Sequence, residues 1–391
     1  MRSTLKPLFL TLLLISVVGT AFATDDSSNN SKASDTSAII AGAAGSILTY
    51  PWIAYLAYDT GEQYCGASLI SPTWILTAAH CFLNEAGDEI DIETGALSTI
   101  FLNTDTTTPP GTAAIEGAIG QIIVHPNYEP DFDTSPNSND FDIALVEITA
   151  AVDLQPVSLL AADAPLIDAG IEAIIMGWGT TAVDAANESI EPSDTLLQAK
   201  QLIVDNSTCL DVYSDGITDN MICAGGSTAA PTTDTCQGDS GGPLSIASGD
   251  SFVQVGIVSF GGVGGPICGD PDSPSVYSSV SALAGFIQLH ATDATFTTLE
   301  PNAGIPSPVL AITVDGLMVT INWSEVPGAT GYLLYYAPFP SQTPINNLDV
   351  GPLNTLSGEL AVGTSLYVAV QPYNAEGPID VFSNVEIFTI E

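Results

Sequence analysis

Short apolar runs separated by turn-forming residues dominate the chain from Ile39 to about residue 280. Val, Ile, Tyr and Phe are frequent in the runs, and Gly, Pro and Asp residues stand between them. This pattern is typical of an all-β sandwich or barrel. The predicted strands include 52–58, 67–70, 120–124, 143–148, 172–176 and 252–260.

Apolar side chains recur at a different spacing at the end of this block. Leu283, Phe286, Ile287 and His290 would share one face of a helix. The spacing therefore predicts a helix over 280–290.

A second strand pattern follows a segment rich in Thr, Pro and Asn. The chain has 391 residues, which is more than one core usually holds, so two domains are expected. Residues 293–307 are interpreted as a linker, and residues 308–391 as a small β-sandwich. The predicted strands of this block are 318–323, 331–336, 365–371 and 383–389.

The N-terminal segment has the features of an export signal. Arg2 and Lys6 precede an apolar run at 8–18, and Ala21-Phe22-Ala23 is a small-x-small cleavage site. The run is short for a membrane anchor, which is the alternative. Residues 1–23 are therefore interpreted as a signal peptide and the polar residues 24–38 as a pro-segment. The expected location is extracellular or periplasmic, without a membrane span.

The charge of the chain excludes some partners. There are 45 acidic and 4 Lys or Arg residues, for a formal net charge of −41. A polyanion of this kind repels phosphate, which excludes nucleic-acid binding and disfavours anionic membranes. Lys200 is the only Lys or Arg between residues 39 and 391.

Six cysteines follow the predicted signal peptide, and an even number in an exported chain favours three disulfides. The residues alone leave 15 pairings open. No CxxC pair or histidine cluster indicates a metal. Acidic residues cluster at 85–93 and at Glu116, which leaves a calcium site as the alternative, but no EF-hand-like loop is present and such clusters are mostly solvated surface. No metal and no cofactor are expected.

Three separate segments carry residues that fit nucleophilic catalysis. They are 76–81 with His80, 140–145 with Asp142 and 236–244 with Ser240. A serine hydroxyl needs a base to take its proton, and an imidazole has a suitable pKa. A carboxylate fixes the imidazole tautomer and stabilises its protonated form.

These segments resemble the chymotrypsin-like (trypsin-family) serine proteases, over residues 39–292. The His…Asp…Ser order is that of the family. The matching motifs, in family order, are IIAG at 39–42, TAAHC at 77–81, DIAL at 142–145, GWG at 177–179, ITDNMICAG at 217–225, DTCQGDSGGPL at 234–244 and SPSVY at 273–277.

The resemblance implies two six-stranded antiparallel β-barrels followed by a C-terminal helix. It also implies a catalytic triad of His80, Asp142 and Ser240, with the backbone N–H groups of Gly238 and Ser240 as the oxyanion hole. The implied disulfides are Cys65–Cys81, Cys209–Cys223 and Cys236–Cys268.

The resemblance further implies a zymogen. Cleavage after Ala38 would free the amino group of Ile39, which would fold inward and pair with Asp239. Because Ala38 is not basic, an enzyme that cuts after Arg or Lys would need another protease to activate it.

Substrate specificity is expected from the pocket that receives P1, the residue before the cleaved bond. The resemblance places Asp234 at its base, which suits Arg or Lys. Its walls are expected from Ser259, Phe260, Gly261 and Ser275. Ser275 stands where trypsins usually have Gly, and its extra atoms should narrow the slot and change how Arg and Lys rank. Phe260 replaces the usual Trp, and the loop at 262–267 is longer than usual.

The C-terminal block resembles a fibronectin type III module, with Trp323 in its core and Leu366 in place of the usual corner tyrosine. The resemblance implies a spacer or a weak adhesion unit with a surface or polymer ligand. The hypothesis for the whole chain is a secreted endopeptidase with protein or peptide substrates. The alternatives are a non-catalytic binding or adhesion protein and a protease or esterase of elastase-like or chymotrypsin-like preference.

Overall fold

A computed structural model of the protein describes most of the chain after residue 38. The predicted signal peptide, the pro-segment with Ala38, the acidic cluster at 85–93 and the loop at 262–267 lie outside the described residues. The described ranges are 39–40, 42–58, 60–83, 99–128, 139–181, 192–225, 233–249, 251–261, 268–270, 272–300, 303–375, 377–379 and 381–390.

The first barrel is built from the strands that the apolar runs predicted. Strands β2 to β7 close in the order β2-β3-β4-β7-β6-β5, and neighbouring strands are antiparallel. All five residues of β2 are buried, in keeping with their apolar sequence IAYLA. The first strands are β1 (Ala43–Ala44), β2 (Ile53–Ala57), β3 (Gln63–Ser71), β4 (Trp74–Thr77), β5 (Thr99–Leu102), β6 (Ile115–Val124) and β7 (Ala144–Ile148).

A second barrel follows along the chain. Its strands are drawn from β8 (Ser158–Leu160), β9 (Glu172–Gly177), β10 (Leu197–Val204), β11 (Met221–Ala224), β12 (Pro243–Ser248), β13 (Ser251–Phe260), β14 (Ser275–Ser279) and β15 (Phe296–Thr297). Six of them close in the order β12-β9-β10-β11-β14-β13 through antiparallel pairs. This confirms the prediction of two six-stranded antiparallel barrels. Strand β15 lies in the predicted linker and pairs in parallel with β8.

The predicted terminal helix is present but shorter. Helix α1 (Asn206–Tyr213) precedes it, and α2 (Ala284–His290) begins four residues later than predicted. Residues 280–283 instead form turns, in which the Leu283 N–H donates to the Ser279 carbonyl and the Ala284 N–H donates to the Ser281 carbonyl. Leu283 and Ile287 then pack into the core of the first barrel. Among the helices in the described part of the chain, none has both the length and the apolar character that a membrane crossing requires.

The C-terminal block forms two sheets around its own apolar core. One sheet has the order β16-β17-β20, and the other joins β19, β18, β21, β22 and β23. Trp323 is buried between them, edge-on to Tyr332 at 5.8 Å between ring centroids. The last strand begins at Glu386 and not at residue 383. Ser383 is instead held by Val370, because the Ser383 N–H donates to the Val370 carbonyl and the Val370 N–H donates to the Ser383 hydroxyl. The strands are β16 (Leu310–Asp315), β17 (Met318–Trp323), β18 (Gly331–Pro338), β19 (Asn346–Gly351), β20 (Thr355–Glu359), β21 (Ser365–Asn374), β22 (Gly377–Pro378) and β23 (Glu386–Thr389).

Lys200 lies in the middle of β10. Its Nζ is 2.7 Å from a carboxylate oxygen of Glu172 on the neighbouring β9, and its side chain is 66% exposed. Such an exposed pair stabilises the fold by only about 0–1 kcal/mol. The backbone carbonyl of Lys200 accepts a hydrogen bond from the Thr233 hydroxyl.

Candidate active site

His80 and Asp142 meet at one end of the first barrel. His80 lies in a 3-10 turn (Ala79–Cys81) that directly follows β4, and Asp142 precedes β7, the strand that pairs with β4. The His80 ring Nδ1 is 2.7 Å from Asp142 Oδ2, and the His80 backbone N–H donates to Asp142 Oδ1 at 2.9 Å. The carboxylate therefore fixes both the ring and the backbone of the histidine.

Asp142 is fully buried, and the second barrel also contributes to its contacts. The Ser259 hydroxyl, at the end of β13, donates to Asp142 Oδ2 at 2.6 Å. Burial alone would raise the pKa of Asp142, but the His80 charge and the hydrogen bonds from His80 and Ser259 lower it below its usual value. Ser259, which the sequence placed in the pocket wall, thus holds the carboxylate in its ionised form.

The turn before Asp142 is held by a residue that sequence reasoning left without a role. Asp140 Oδ1 accepts hydrogen bonds from the Thr218 hydroxyl at 2.9 Å and the Asn220 side chain at 3.0 Å. Phe141, next to it, has a φ of +57°, an uncommon value for a side chain of its size. The Asp140 bonds tie this turn to the second barrel and so help to fix Asp142.

Ser240 lies in a tight loop that enters the junction of the two barrels. Its carbonyl accepts the N–H of Gly66 on β3 at 2.7 Å. Gly241, the next residue, has a φ of +78°, and a Cβ there would lie 2.1 Å from Thr77 Oγ1, at the end of the strand before His80. Only glycine fits this close approach, which brings the Ser240 backbone against the His80 segment.

The Ser240 hydroxyl is not hydrogen-bonded to the imidazole in this arrangement of the described residues. Among the hydrogen bonds of the described residues, none joins it to the His80 ring. Serine–histidine bonds are often long before substrate enters and shorten in the reacting complex. The structure therefore joins His80 to Asp142 directly and brings Ser240 to them through the backbone.

The peptide between Gln237 and Gly238 is held in one orientation by a hydrogen bond from Thr180. The Gln237 carbonyl accepts the N–H of Thr180 at 2.8 Å, and in a trans peptide the N–H of Gly238 must point the opposite way. The Gln63 side chain donates to the Gly238 carbonyl at 2.6 Å and holds the next peptide. Gly238 itself has a φ of +97°. This arrangement leaves the Gly238 N–H available to a developing oxyanion.

Asp239 is enclosed in a cradle of glycines. Its carboxylate accepts the N–H groups of Gly179 at 2.8 Å and Cys236 at 3.0 Å. A Cβ on Gly177 would lie 2.2 Å from the carboxylate, and one on Gly179 2.5 Å, which explains both glycines of the GWG motif. Burial raises the pKa of Asp239 to about 7, against the effect of those two hydrogen bonds.

Ile39 is fully buried in the core of the second barrel. Its φ is +47°, and its carbonyl accepts the N–H of Gly42 at 2.7 Å. The next residue, Ile40, donates its N–H to the Asp234 carbonyl at 3.2 Å. The start of the first block therefore lies against the loop that carries Asp234 and Asp239.

The predicted pocket residues lie together at the end of the second barrel. Asp234 is 6% exposed, and Ser275 on β14 contacts its carboxylate directly. Gly261 lies across from Ser275, since a Cβ on Gly261 would be 3.2 Å from the Ser275 hydroxyl oxygen. The Phe260 ring packs edge-on against Tyr213 at 5.6 Å between centroids.

The chain was compared with known proteins. The family model described as trypsin matches residues 39–287. The chain belongs to the trypsin family. Ovochymase of Halocynthia roretzi is 30% identical over 259 residues, which are 64% of this chain and 15% of that protein. The chain thus spans 15% of the length of that relative. Among solved structures, neuropsin, a serine protease expressed in the limbic system of mouse brain, matches at a TM-score of 0.52 and 28% identity, over 65% of this chain and 100% of the neuropsin chain.

The disulfides are those that the resemblance to the trypsin family implied. The structure contains Cys65–Cys81, Cys209–Cys223 and Cys236–Cys268. The Cys65 and Cys81 sulfurs lie beside His80, an arrangement that would suit a metal if they were thiolates. Because the two sulfurs are bonded to each other, they instead brace β3 against the turn that carries His80.

Proposed function

We propose that this chain is a secreted serine endopeptidase that hydrolyses peptide bonds through an acyl-enzyme. The observation that carries the proposal is the Asp142 carboxylate, bonded at once to the His80 ring, the His80 backbone and the Ser259 hydroxyl. A carboxylate so placed orients an imidazole as a general base. The Ser240 loop and the turned peptide at Gly238 supply the other two parts of such a site.

In the proposed reaction, Ser240 Oγ attacks the substrate carbonyl carbon while His80 Nε2 takes the hydroxyl proton. The oxyanion that forms is stabilised by the N–H groups of Gly238 and Ser240. His80 then gives the proton to the amine as the C–N bond breaks, which leaves an ester on Ser240. Water then attacks the ester carbonyl carbon while His80 takes a proton from it, and His80 returns that proton to Ser240 Oγ as the ester C–O bond breaks and the acid is released.

For specificity, we propose that Asp234 receives a basic P1 side chain, Arg or Lys. A buried carboxylate at the closed end of a slot favours a cation there. The −41 charge of the chain also attracts cationic substrates, an effect that salt weakens.

A labelling experiment and a peptide panel test this function. A fluorophosphonate probe should attach to Ser240, and chromogenic peptides with Arg or Lys at P1 should be cut faster than those with Ala or Phe. Hydrolysis of the Ala or Phe peptides alone would support an elastase-like or chymotrypsin-like preference. If the processed chain showed neither labelling nor hydrolysis, that result would support a non-catalytic binding protein.

Activity should fall as the pH drops through the pKa of His80. Burial lowers that pKa, but the charge and hydrogen bond of Asp142 raise it more, so it lies above the ordinary 6.5. A protonated ring cannot take the Ser240 proton, and kcat/KM should therefore decline below a midpoint higher than 6.5. A pH profile with one peptide measures this, and a flat profile down to pH 5 would contradict the assignment of His80.

We also propose that the protein is made as a zymogen and activated by cleavage after Ala38. The new Ile39 ammonium would pair with Asp239, whose raised pKa reflects a buried carboxylate without a cation. Such a buried pair costs ~3–5 kcal/mol to break, enough to order a pocket.

The activation step can be tested with a proenzyme that cannot cut itself. Purified Ser240→Ala protein should be cleaved at Ala38–Ile39 by a protease that accepts small P1 residues, as N-terminal sequencing would show. Trypsin added in its place should leave this bond intact. Unaided cleavage there by the pure wild-type chain would contradict activation in trans.

For residues 308–391 we propose a fibronectin type III-like module that follows the protease domain (39–292) and the linker (293–307). The two sheets and the buried Trp323 support this reading. The module would act as a spacer or would hold the enzyme on a surface or polymer. Deleting it should then reduce retention on such a surface while kcat/KM for small peptides stays unchanged.

A further inference from the structure

The carboxylate at the base of the proposed P1 pocket is already bonded to the protein through both oxygens. Asp234 Oδ1 accepts the Ser275 hydroxyl at 2.6 Å, the Thr235 N–H at 2.9 Å and the Gln201 side-chain amide at 3.1 Å. Asp234 Oδ2 accepts the N–H of Gly269 at 2.7 Å. An ionised carboxylate has about four acceptor positions, two on each oxygen. Oδ1, with three donors for two positions, therefore has no position left, and Oδ2, with one donor, keeps one position.

Gln201 is a member of this network that no sequence motif indicated. It lies on β10 and is 3% exposed. Its Nε2 donates both to Asp234 Oδ1 and to the Thr233 carbonyl, each at 3.1 Å, while its Oε1 accepts the Tyr277 hydroxyl at 2.5 Å. The amide is thus held from both ends, and its N–H is aimed at Oδ1 from behind the pocket.

Ser275, in the wall of the proposed P1 pocket, occupies the same oxygen, Asp234 Oδ1. Its hydroxyl donates to Oδ1 and accepts the Thr235 hydroxyl at 3.2 Å. Because its oxygen lies 3.2 Å from the position of a Cβ on Gly261, it also narrows the passage between the two walls. The Ser275 and Thr235 hydroxyls therefore lie next to the carboxylate and offer a P1 side chain two further acceptors.

We propose that Gln201 and Ser275 are specificity-determining residues that make the pocket select Lys over Arg at P1. A guanidinium gains most from a carboxylate that accepts two parallel N–H bonds, one on each oxygen, and Oδ1 has no position left for this. A lysine ammonium is compact, and its three rotatable donors are satisfied by single acceptors: the two hydroxyls and the remaining position on Oδ2. The inference rests on the proposed serine endopeptidase function.

The test measures kcat/KM for peptides that differ only in Lys or Arg at P1. The concentration of active enzyme is set by fluorophosphonate titration of Ser240, so that poorly folded variants are not counted. The wild type should prefer Lys about tenfold or more, the size expected for a hydrogen bond to a charged group. Ser275→Ala and Gln201→Ala should each raise the Arg-to-Lys ratio, Ser275→Ala by about tenfold.

Matched controls lie on the same two strands. Ser279→Ala on β14 removes a hydroxyl, and Gln198→Ala on β10 removes a side-chain amide, in both cases outside the pocket. Ser279 contacts Ser281, and Gln198 contacts Tyr50 and Ala44. Both should leave the ratio unchanged, and a purely structural loss would lower both rates together. Ser275→Gly is a second substitution that removes the hydroxyl and widens the slot, and it should also raise the Arg-to-Lys ratio.

The possible outcomes separate this inference from the proposed function. A wild-type preference for Arg, or a ratio that the pocket variants move no more than the controls do, overturns the Lys-selective pocket. Labelling of Ser240 with hydrolysis of Ala or Phe peptides alone also overturns it, while the endopeptidase itself stands. Absence of both labelling and hydrolysis would remove the proposed function and this inference with it.

Discussion

Ser240→Ala is expected to reduce kcat of the processed protein by a factor on the order of 10⁶, because the variant has no hydroxyl to form the acyl-enzyme. The residual rate should reflect only substrate binding and the oxyanion hole. Turnover of a chromogenic peptide with Lys at P1 measures the loss, and a fluorophosphonate probe should no longer label the protein.

The chain offers a matched control for this variant. Ser245, on β12, is fully buried, and its hydroxyl has no hydrogen-bond partner in the described part of the protein. Ser245→Ala should therefore keep both activity and labelling. A Ser240→Ala variant that cuts the peptide within about tenfold of the wild-type rate would refute the assigned nucleophile.

Asp142→Asn is expected to lower kcat by about 10⁴-fold while the fold is retained. An amide in this position would offer an N–H to His80 Nδ1, so the ring would carry its proton on Nε2, where the Ser240 proton must go. The remaining oxygen, at the Oδ1 position, would still accept the His80 backbone N–H, while the Ser259 hydroxyl, whose acceptor is Oδ2, would lose that acceptor. The measurement is kcat near pH 8 together with the circular dichroism of the variant.

The exposed Asp153 provides the comparison for that substitution. Asp153→Asn removes the same charge far from the imidazole and should leave kcat unchanged. If Asp142→Asn lost less than about tenfold, or if the two variants were equally impaired, the carboxylate would have only a structural role.

Much of the fold was predictable because each strand has its own pattern of apolar residues in a short stretch of sequence. The apolar runs predicted strands such as β2 and β7, since alternating or fully apolar segments must be buried in a sheet. Closure into two barrels was not visible in those runs, and it followed only from the resemblance to the trypsin family. The helix start was misplaced because the spacing of apolar residues does not distinguish the turns at 280–283 from the first turn of a helix.

The contacts that were missed join residues far apart in the chain. Asp140 bonds Thr218 and Asn220, which lie about 80 positions later, and Gln201 bonds Asp234, which lies 33 positions later. An aspartate in a turn or a glutamine on a strand carries no local signal of such a partner. Ser259 was identified as a site residue, but its bond to Asp142 depends on the packing of one barrel against the other.

The position of Lys200 determines whether one molecule of the proposed protease can cleave another. A protease that cuts after lysine needs an extended, unpaired segment, yet β10 is hydrogen-bonded to β9 across this residue, and Thr233 holds its carbonyl. The next residue, Gln201, is buried and bonded to Asp234. Since no other Lys or Arg follows residue 38, the proposed specificity for basic P1 residues leaves the folded chain without an accessible bond to cut, and unfolding or foreign proteases would then limit the lifetime of a concentrated preparation.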